Sequence, residues 1–140
     1  MSEEEILSRI EQRETFTATI DDGAFTLKIE RYEPALCAAI HNGGNMRPEL
    51  VENCLLTESE RYYEEDPHTG SLIEQQPVTL IAHDSRYEYD LNRISDDCVY
   101  ETAWGRDVWK SPLSEAAIAH SKDCLLYTSP SPRDHLSYLV

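Results

Sequence analysis

A chain of 140 residues with 40 % hydrophobic side chains is long enough for one domain with a real core. Its 27 acidic side chains against 12 basic ones leave a formal charge of -15, which repels a phosphate backbone or an anionic lipid surface and argues against nucleic-acid and membrane partners. The opening stretch Met1 to Ile6 has no signal-peptide pattern, and no run approaches the roughly 20 apolar residues of a membrane span, so the expected location is cytoplasmic.

Ser2 and Glu5 have capping-box spacing, and Ile6, Leu7 and Ile10 follow on one side of a short helix that ends before Thr15. Thr15 to Ile20 and Ala24 to Arg31 alternate, with Phe16, Ala18 and Ile20 matched to Phe25, Leu27 and Ile29 across Asp21-Asp22-Gly23, which predicts a β-hairpin. Ala35 to Ile40 is a continuous apolar run of the kind found in a central strand buried on both faces, with Cys37 inside it. It stops at the polar loop His41-Asn42-Gly43-Gly44.

Pro48 and Glu49 open a helical turn. Thr57 with Glu60 caps a second helix running to about Glu65, and Pro67 and Gly70 end it. Val78 to His83 reads as a buried strand, Tyr87 to Leu91 as a further strand, and about Ser114 to Ser121 as a helix. Strands interleaved with helices imply an α/β layer fold, a mixed sheet with flanking helices. The four cysteines, Cys37, Cys54, Cys98 and Cys124, contain no CxxC pair and are expected to be free thiols.

From Cys124 the character changes. Tyr127-Thr128-Ser129-Pro130-Ser131-Pro132-Arg133-Asp134 has neither helical nor strand period, and the segment resembles the translated sequencing adapter that ends many proteins predicted from environmental assemblies. Residues 1–123 are therefore expected to be the natural part and 124–140 a non-native tail. The other reading is a genuine Ser/Pro terminus.

Three polar clusters fall at strand ends, where α/β sheets place ligands. His41 precedes two glycines that let backbone and ligand approach an imidazole; a plain loop histidine is the alternative. Glu64, Glu65 and Asp66 crowd three carboxylates at a helix end, where the helix dipole disfavours them unless a cation is bound; the alternative is a solvated acidic patch. Arg93 has the fork geometry to grip a carboxylate, Asn92 adds an amide and Arg86 a second cation, unless these arginines merely pair with Asp90 or Glu88 at the surface.

Three strings in this order, Ile40-His41-Asn42-Gly43-Gly44-Asn45-Met46-Arg47-Pro48-Glu49-Leu50, Glu64-Glu65-Asp66-Pro67-His68-Thr69-Gly70 and Ser85-Arg86-Tyr87-Glu88-Tyr89-Asp90-Leu91-Asn92-Arg93, resemble the N-formylglutamate amidohydrolase family. Trp104-Gly105, Val108-Trp109 and Pro112-Leu113 extend the similarity, which runs from about Ala35 to Ser121. The resemblance implies a zinc-carboxypeptidase-like (phosphorylase/hydrolase-like) fold and a zinc-activated water that attacks the formyl carbon, releasing formate and glutamate.

It further implies His41 as a metal ligand, Glu65 or Asp66 as the acidic ligand, and Arg93, Asn92 and Arg86 as binders of the substrate carboxylates. Catalytic zinc takes three protein ligands, and only two candidates precede Asp123. The remaining ligand and the general base are expected downstream of Asp123, so the chain reads as the N-terminal part of an amidohydrolase, inactive by itself. The partner implied is a small acidic N-acyl amino acid. The competing readings are a non-catalytic anion-binding or carboxylate-binding domain, and an acidic interaction protein whose carboxylates only confer solubility.

Overall fold

A computed structural model describes residues 1–128 of the chain. In chain order the elements are α1 (Glu3–Glu11), β1 (Phe16–Thr19), β2 (Phe25–Ile29), β3 (Cys37–Ala39), α2 (Pro48–Asn53), α3 (Glu58–Glu64), α4 (Thr69–Ile73), β4 (Val78–Ala82), β5 (Thr102–Ala103), β6 (Arg106–Asp107) and α5 (Glu115–Thr128). The main sheet runs β1-β2-β4-β3, antiparallel except for the parallel β3–β4 pair, so the fold is α/β with a mixed sheet and flanking helices.

The amino-terminal region follows its sequence pattern. Ser2 accepts from the Glu5 N–H at 3.2 Å while the Glu5 side chain accepts from the Ser2 N–H at 2.9 Å, closing the capping box at the start of α1. Ile6 is buried, but Leu7 is exposed, because it lies about 100° around the helix from Ile6 whereas Ile10 follows four residues on. In the hairpin Phe16 faces Ile29 and Ala18 faces Leu27, and the turn is closed by Gly23 at φ 80°. Phe16, Ala18, Ile20, Phe25, Leu27 and Ile29 are all buried, with Ile6 and Leu80 completing one apolar cluster.

Beyond Leu7, four further expectations need correction. β3 is not central: it pairs with β4 alone among the described strands, its burial is partial, and Cys37 is half-buried rather than buried. An apolar run of alanines carries too little side chain to distinguish a central strand from an edge one. Tyr87 to Leu91 is not a strand. Tyr87, Tyr89 and Leu91 are buried as their alternation implies, yet the backbone turns, with the Glu88 N–H bonded to Ser85 O and the Asp90 N–H to Cys98 O.

Gly70 does not end a helix but lies within α4, where its N–H donates to Asn42 Oδ1 at 2.8 Å. Finally, α5 continues past Ser121 to Thr128, and Leu125 is fully buried against Ala82, Tyr89, Leu91 and Cys98. The first five residues of the expected tail 124–140 thus continue the helix; the rest lie outside the described residues. A third apolar cluster, Leu50, Cys54, Leu56, Tyr87, Val108 and Trp109, joins α2 to the Trp109 loop.

Candidate functional site

The parallel pair β3–β4 carries the site on its carboxyl ends. Beyond the strands the two chains stay paired: Asn45 N–H donates to His83 O at 3.0 Å and Ser85 N–H to Asn45 O at 2.8 Å. The crossing is so close that a Cβ on Gly43 would stand 1.9 Å from the His83 carbonyl oxygen, which is why the loop after His41 needs a glycine there.

His41 is buried between two carboxylates, with Nδ1 3.3 Å from Asp66 Oδ2 and Nε2 2.7 Å from Asp90 Oδ1. Asp90 is fully buried and also accepts from the Tyr100 hydroxyl, from Arg86 Nη2 at 3.1 Å and from the Asn92 N–H at 2.7 Å. Burial alone would raise the Asp90 carboxyl, but hydrogen bonds from His41, Tyr100 and the Asn92 backbone outweigh it and hold the group far below the usual carboxylate range. An ionised Asp90 can only accept, so His41 Nε2 carries the proton, and the Nδ1 lone pair of a neutral ring faces Asp66. Nδ1 and Asp66 Oδ2 then face each other as two acceptors 3.3 Å apart.

The three adjacent carboxylates diverge. Asp66, its side chain 60 % exposed, turns to His41. Glu65, buried, accepts from the Ser85 hydroxyl and has its other oxygen against Gly44; desolvation raises its carboxyl above the ordinary glutamate value, with Ser85 and Arg61 opposing. Glu64 has a buried Oε2 with no hydrogen-bond partner, and its backbone carbonyl accepts from Arg86 Nη1 at 2.9 Å. The chain is extended at Glu65, where α3 has already ended, which is what lets neighbouring side chains point apart.

Arg86 is engaged on three sides, by Glu64 O, Asp90 and Tyr100. Arg93 is different: its side chain is 54 % exposed, 3.9 Å from Asp90 at its nearest and over the Tyr100 ring, while Asn92 is exposed beside it. Arg86, Arg93 and Tyr100 line a cleft of about 680 Å³ with Asp96, Asp97 and Trp104 among its other walls. His41, Glu65 and Asp66 are outside that lining and connect to it through Asp90, which His41 and Arg86 share.

The structure therefore brings His41 to Asp66 and Arg93 to Arg86, and it gives a part to residues that the sequence reading does not count as site residues. Asp90 is expected only as a surface partner of the arginines; it does pair with Arg86, but fully buried, and a single Asp in a polar string gives no sign of that. Tyr100 was invisible for the same reason. A third omission is the ion pair of Arg47 with Glu88, in which Arg47 also donates to Ala117 O at 3.2 Å and Ser121 Oγ at 2.8 Å and so fastens α5 to the site loops.

No protein-family model matches the chain, and no curated protein matches it in sequence. Among solved structures it is similar to the crystal structure of N-formylglutamate amidohydrolase from Ralstonia eutropha JMP134, at 17 % identity and a TM-score of 0.65 over 83 % of this chain. The likeness is one of fold, and the chain spans 52 % of that protein's length.

Proposed function

We propose that the chain is part of a zinc-dependent hydrolase of zinc-carboxypeptidase-like fold that cleaves the N-acyl amide bond of an acidic amino acid, the reaction of N-formylglutamate to formate and glutamate. The observation that carries this reading is the buried His41, donating from Nε2 to Asp90 and presenting Nδ1 to Asp66. A metal-ligating histidine characteristically donates its other ring N–H to a carboxylate, which fixes the tautomer and raises the basicity of the ligating nitrogen. The fold similarity to an amidohydrolase supports it independently.

The donor set fits in part. His41 and Asp66 would be two ligands, with Glu65, turned to Ser85, the less suited of the two adjacent carboxylates. Among the described residues no group of three or more His, Cys, Asp and Glu is arranged to hold a metal ion. Catalytic zinc takes three protein ligands, so we assign the third, and the general base, to sequence beyond Asp123. Zinc, when bound, would lower the pKa of a water toward 7 and polarise the amide carbonyl.

The chain's own residues have separable tasks. Asp90 orients His41, Tyr100 and Arg86 hold Asp90, and the exposed Arg93 with Asn92 grips a substrate carboxylate through parallel charge-assisted hydrogen bonds. Calorimetric zinc titration tests the assignment: uptake is expected in the wild type and in Glu65→Gln, and it is expected to be lost in His41→Ala and in Asp66→Asn. Equal uptake by His41→Ala would sink it.

A second reading, a carboxylate-binding domain without metal, is favoured by the cleft itself, which is walled by Arg86 and Arg93 but not by His41. It predicts N-formylglutamate binding that Arg93→Ala abolishes and that neither zinc nor His41→Ala alters.

A further inference from the structure

Among the described residues Arg13, His68 and Trp104 are the non-glycine residues with positive φ, at 55°, 68° and 55°. That left-handed conformation is disfavoured for any residue with a Cβ and is an outlier for a bulky one. At the first two positions the side chain has a local partner: Arg13 lies over the Tyr32 ring at 4.6 Å, and the His68 ring is hydrogen-bonded to the Tyr62 hydroxyl at 3.0 Å. Trp104 makes neither a hydrogen bond nor a ring contact among the described residues, and it is 74 % exposed.

Its place in the fold accounts for the backbone but not for the residue. Trp104 and Gly105, at φ 55° and 75°, form the two-residue turn between the paired Ala103 and Arg106 of the β5–β6 hairpin. A turn with positive φ at both central residues favours Asn, Asp or Gly at the first of them. A tryptophan there is unfavourable twice, in its backbone and in the hydrocarbon it shows to water, and such conflicts between local preference and fold gather at functional positions. The indole borders the cleft that holds Arg93, the guanidinium left exposed once Arg86 is taken up by Glu64 O, Asp90 and Tyr100. Arg106, directly after the turn, pairs with Glu60 at 2.8 Å and ties the hairpin to α3.

We propose that Trp104 is a specificity-determining residue whose indole covers the side chain of an amino-acid derivative seated by its carboxylate on Arg93. This role rests on the reading of Arg93 as a carboxylate receptor, which the hydrolase and the metal-free binding domain share, and it is independent of where a metal is held. The exposed indole gains by burying its face against the ligand's methylenes, and a covered ion pair is screened less by water. An aromatic side chain has few rotamers to freeze when it does so.

N-formylglutamate and N-formylglycine, the second without a side chain, are titrated by calorimetry into the wild type, Trp104→Asn and Arg93→Ala, and each protein is unfolded in urea. Asn suits the turn, so Trp104→Asn is expected to unfold at a urea concentration no lower than the wild type. It is expected to weaken N-formylglutamate about threefold to tenfold and to leave N-formylglycine unchanged, whereas Arg93→Ala weakens both. N-formylglutamate should also shift the tryptophan emission of the wild type to the blue, and Trp104→Phe, which retains only the buried Trp109, should lose that shift.

N-formylglutamate binding that needs Arg93 but is the same in Trp104→Asn would overturn the role of Trp104 and leave the carboxylate reading intact. A loss shared equally by the two ligands, or accompanied by a lower urea midpoint, would overturn it too, since Trp104 would then support the hairpin rather than the ligand's side chain. No binding of either compound by the wild type would remove both the role of Trp104 and the reading of Arg93 on which it rests.

Discussion

The hairpin and the strand-end loops of this molecule share one sheet and are built on opposite principles. In β1, β2 and their contacts with α1, burial is apolar, and the backbone is satisfied by the ladder. At the ends of β3 and β4 the buried groups include His41, Glu65, Glu88 and Asp90, held by hydrogen bonds from side chains distant in sequence. The first region derives its stability from removing hydrocarbon from water. The second spends stability on desolvating charges, which hydrogen bonds and ion pairs only partly offset.

Removing Asp90 gives the largest expected separation between the two. Asp90→Ala leaves Arg86 without its carboxylate and His41 without its acceptor, and breaking a buried ion pair from one side costs about 3–5 kcal/mol. Asp90→Asn keeps the shape and should cost less in urea unfolding. If both variants unfold like the wild type, the loops are not organised around this carboxylate. In the hairpin the comparable change is Leu27→Ala, which creates a cavity opposite Ala18 and next to Leu80 and should cost about 2–5 kcal/mol with zinc uptake unchanged per folded molecule.

Acid response should sharpen the contrast with a smaller effect. The Asp90 carboxyl is depressed by its hydrogen bonds, so the stability it contributes is present above its unfolded pKa and is lost as pH falls through its folded value. Glu65 and Glu88 are raised by burial and do the opposite: the folded state holds their protons more tightly, and stability is lost as pH rises through their folded values. Glu65→Gln keeps an acceptor for Ser85 and should therefore stabilise the chain at neutral pH, with the gain disappearing toward the ordinary glutamate value of 4.5. A Glu65→Gln variant no more stable than wild type at neutral pH would count against a desolvated carboxylate there.

What could be read from the sequence divides along the same line. Phe16 to Ile29 gave up its structure directly, because a two-residue period maps onto a half-buried hairpin and leaves few alternatives. Tyr87 to Leu91 has the same period and is a turn, since there the alternate side chains are buried by a folded loop whose N–H groups bond to Ser85 and Cys98. The motif strings point to His41, to Glu65 or Asp66, and to Arg93, but that Asp66 rather than Glu65 neighbours His41 depends on the extended backbone at Glu65, and the places of Asp90 and Tyr100 depend on contacts across 49 and 10 residues. Pairing over such separations has no local signature.

The smallest expected effect compares one motif in both regions. Ser2 and Thr57 each close a capping box, on α1 and on α3, and replacing either by alanine should cost about 1 kcal/mol. The two variants should then diverge. Glu60, partner of Thr57, is held down to about 2 by the Thr57 backbone N–H and by Arg106, so the α3 box keeps its contribution above the unfolded glutamate pKa and loses it as pH falls through that folded value. More to the point, α3 leads directly into Glu64, Glu65 and Asp66, whereas α1 packs Ile6 onto the hairpin. Thr57→Ala should therefore weaken zinc uptake by a few-fold as the Asp66 end of the helix loosens, and Ser2→Ala should leave it untouched. Identical zinc isotherms for the two variants would mean that Asp66 is held by its N–H bond to His41 O rather than by the helix before it, and that the site is rigid independently of α3.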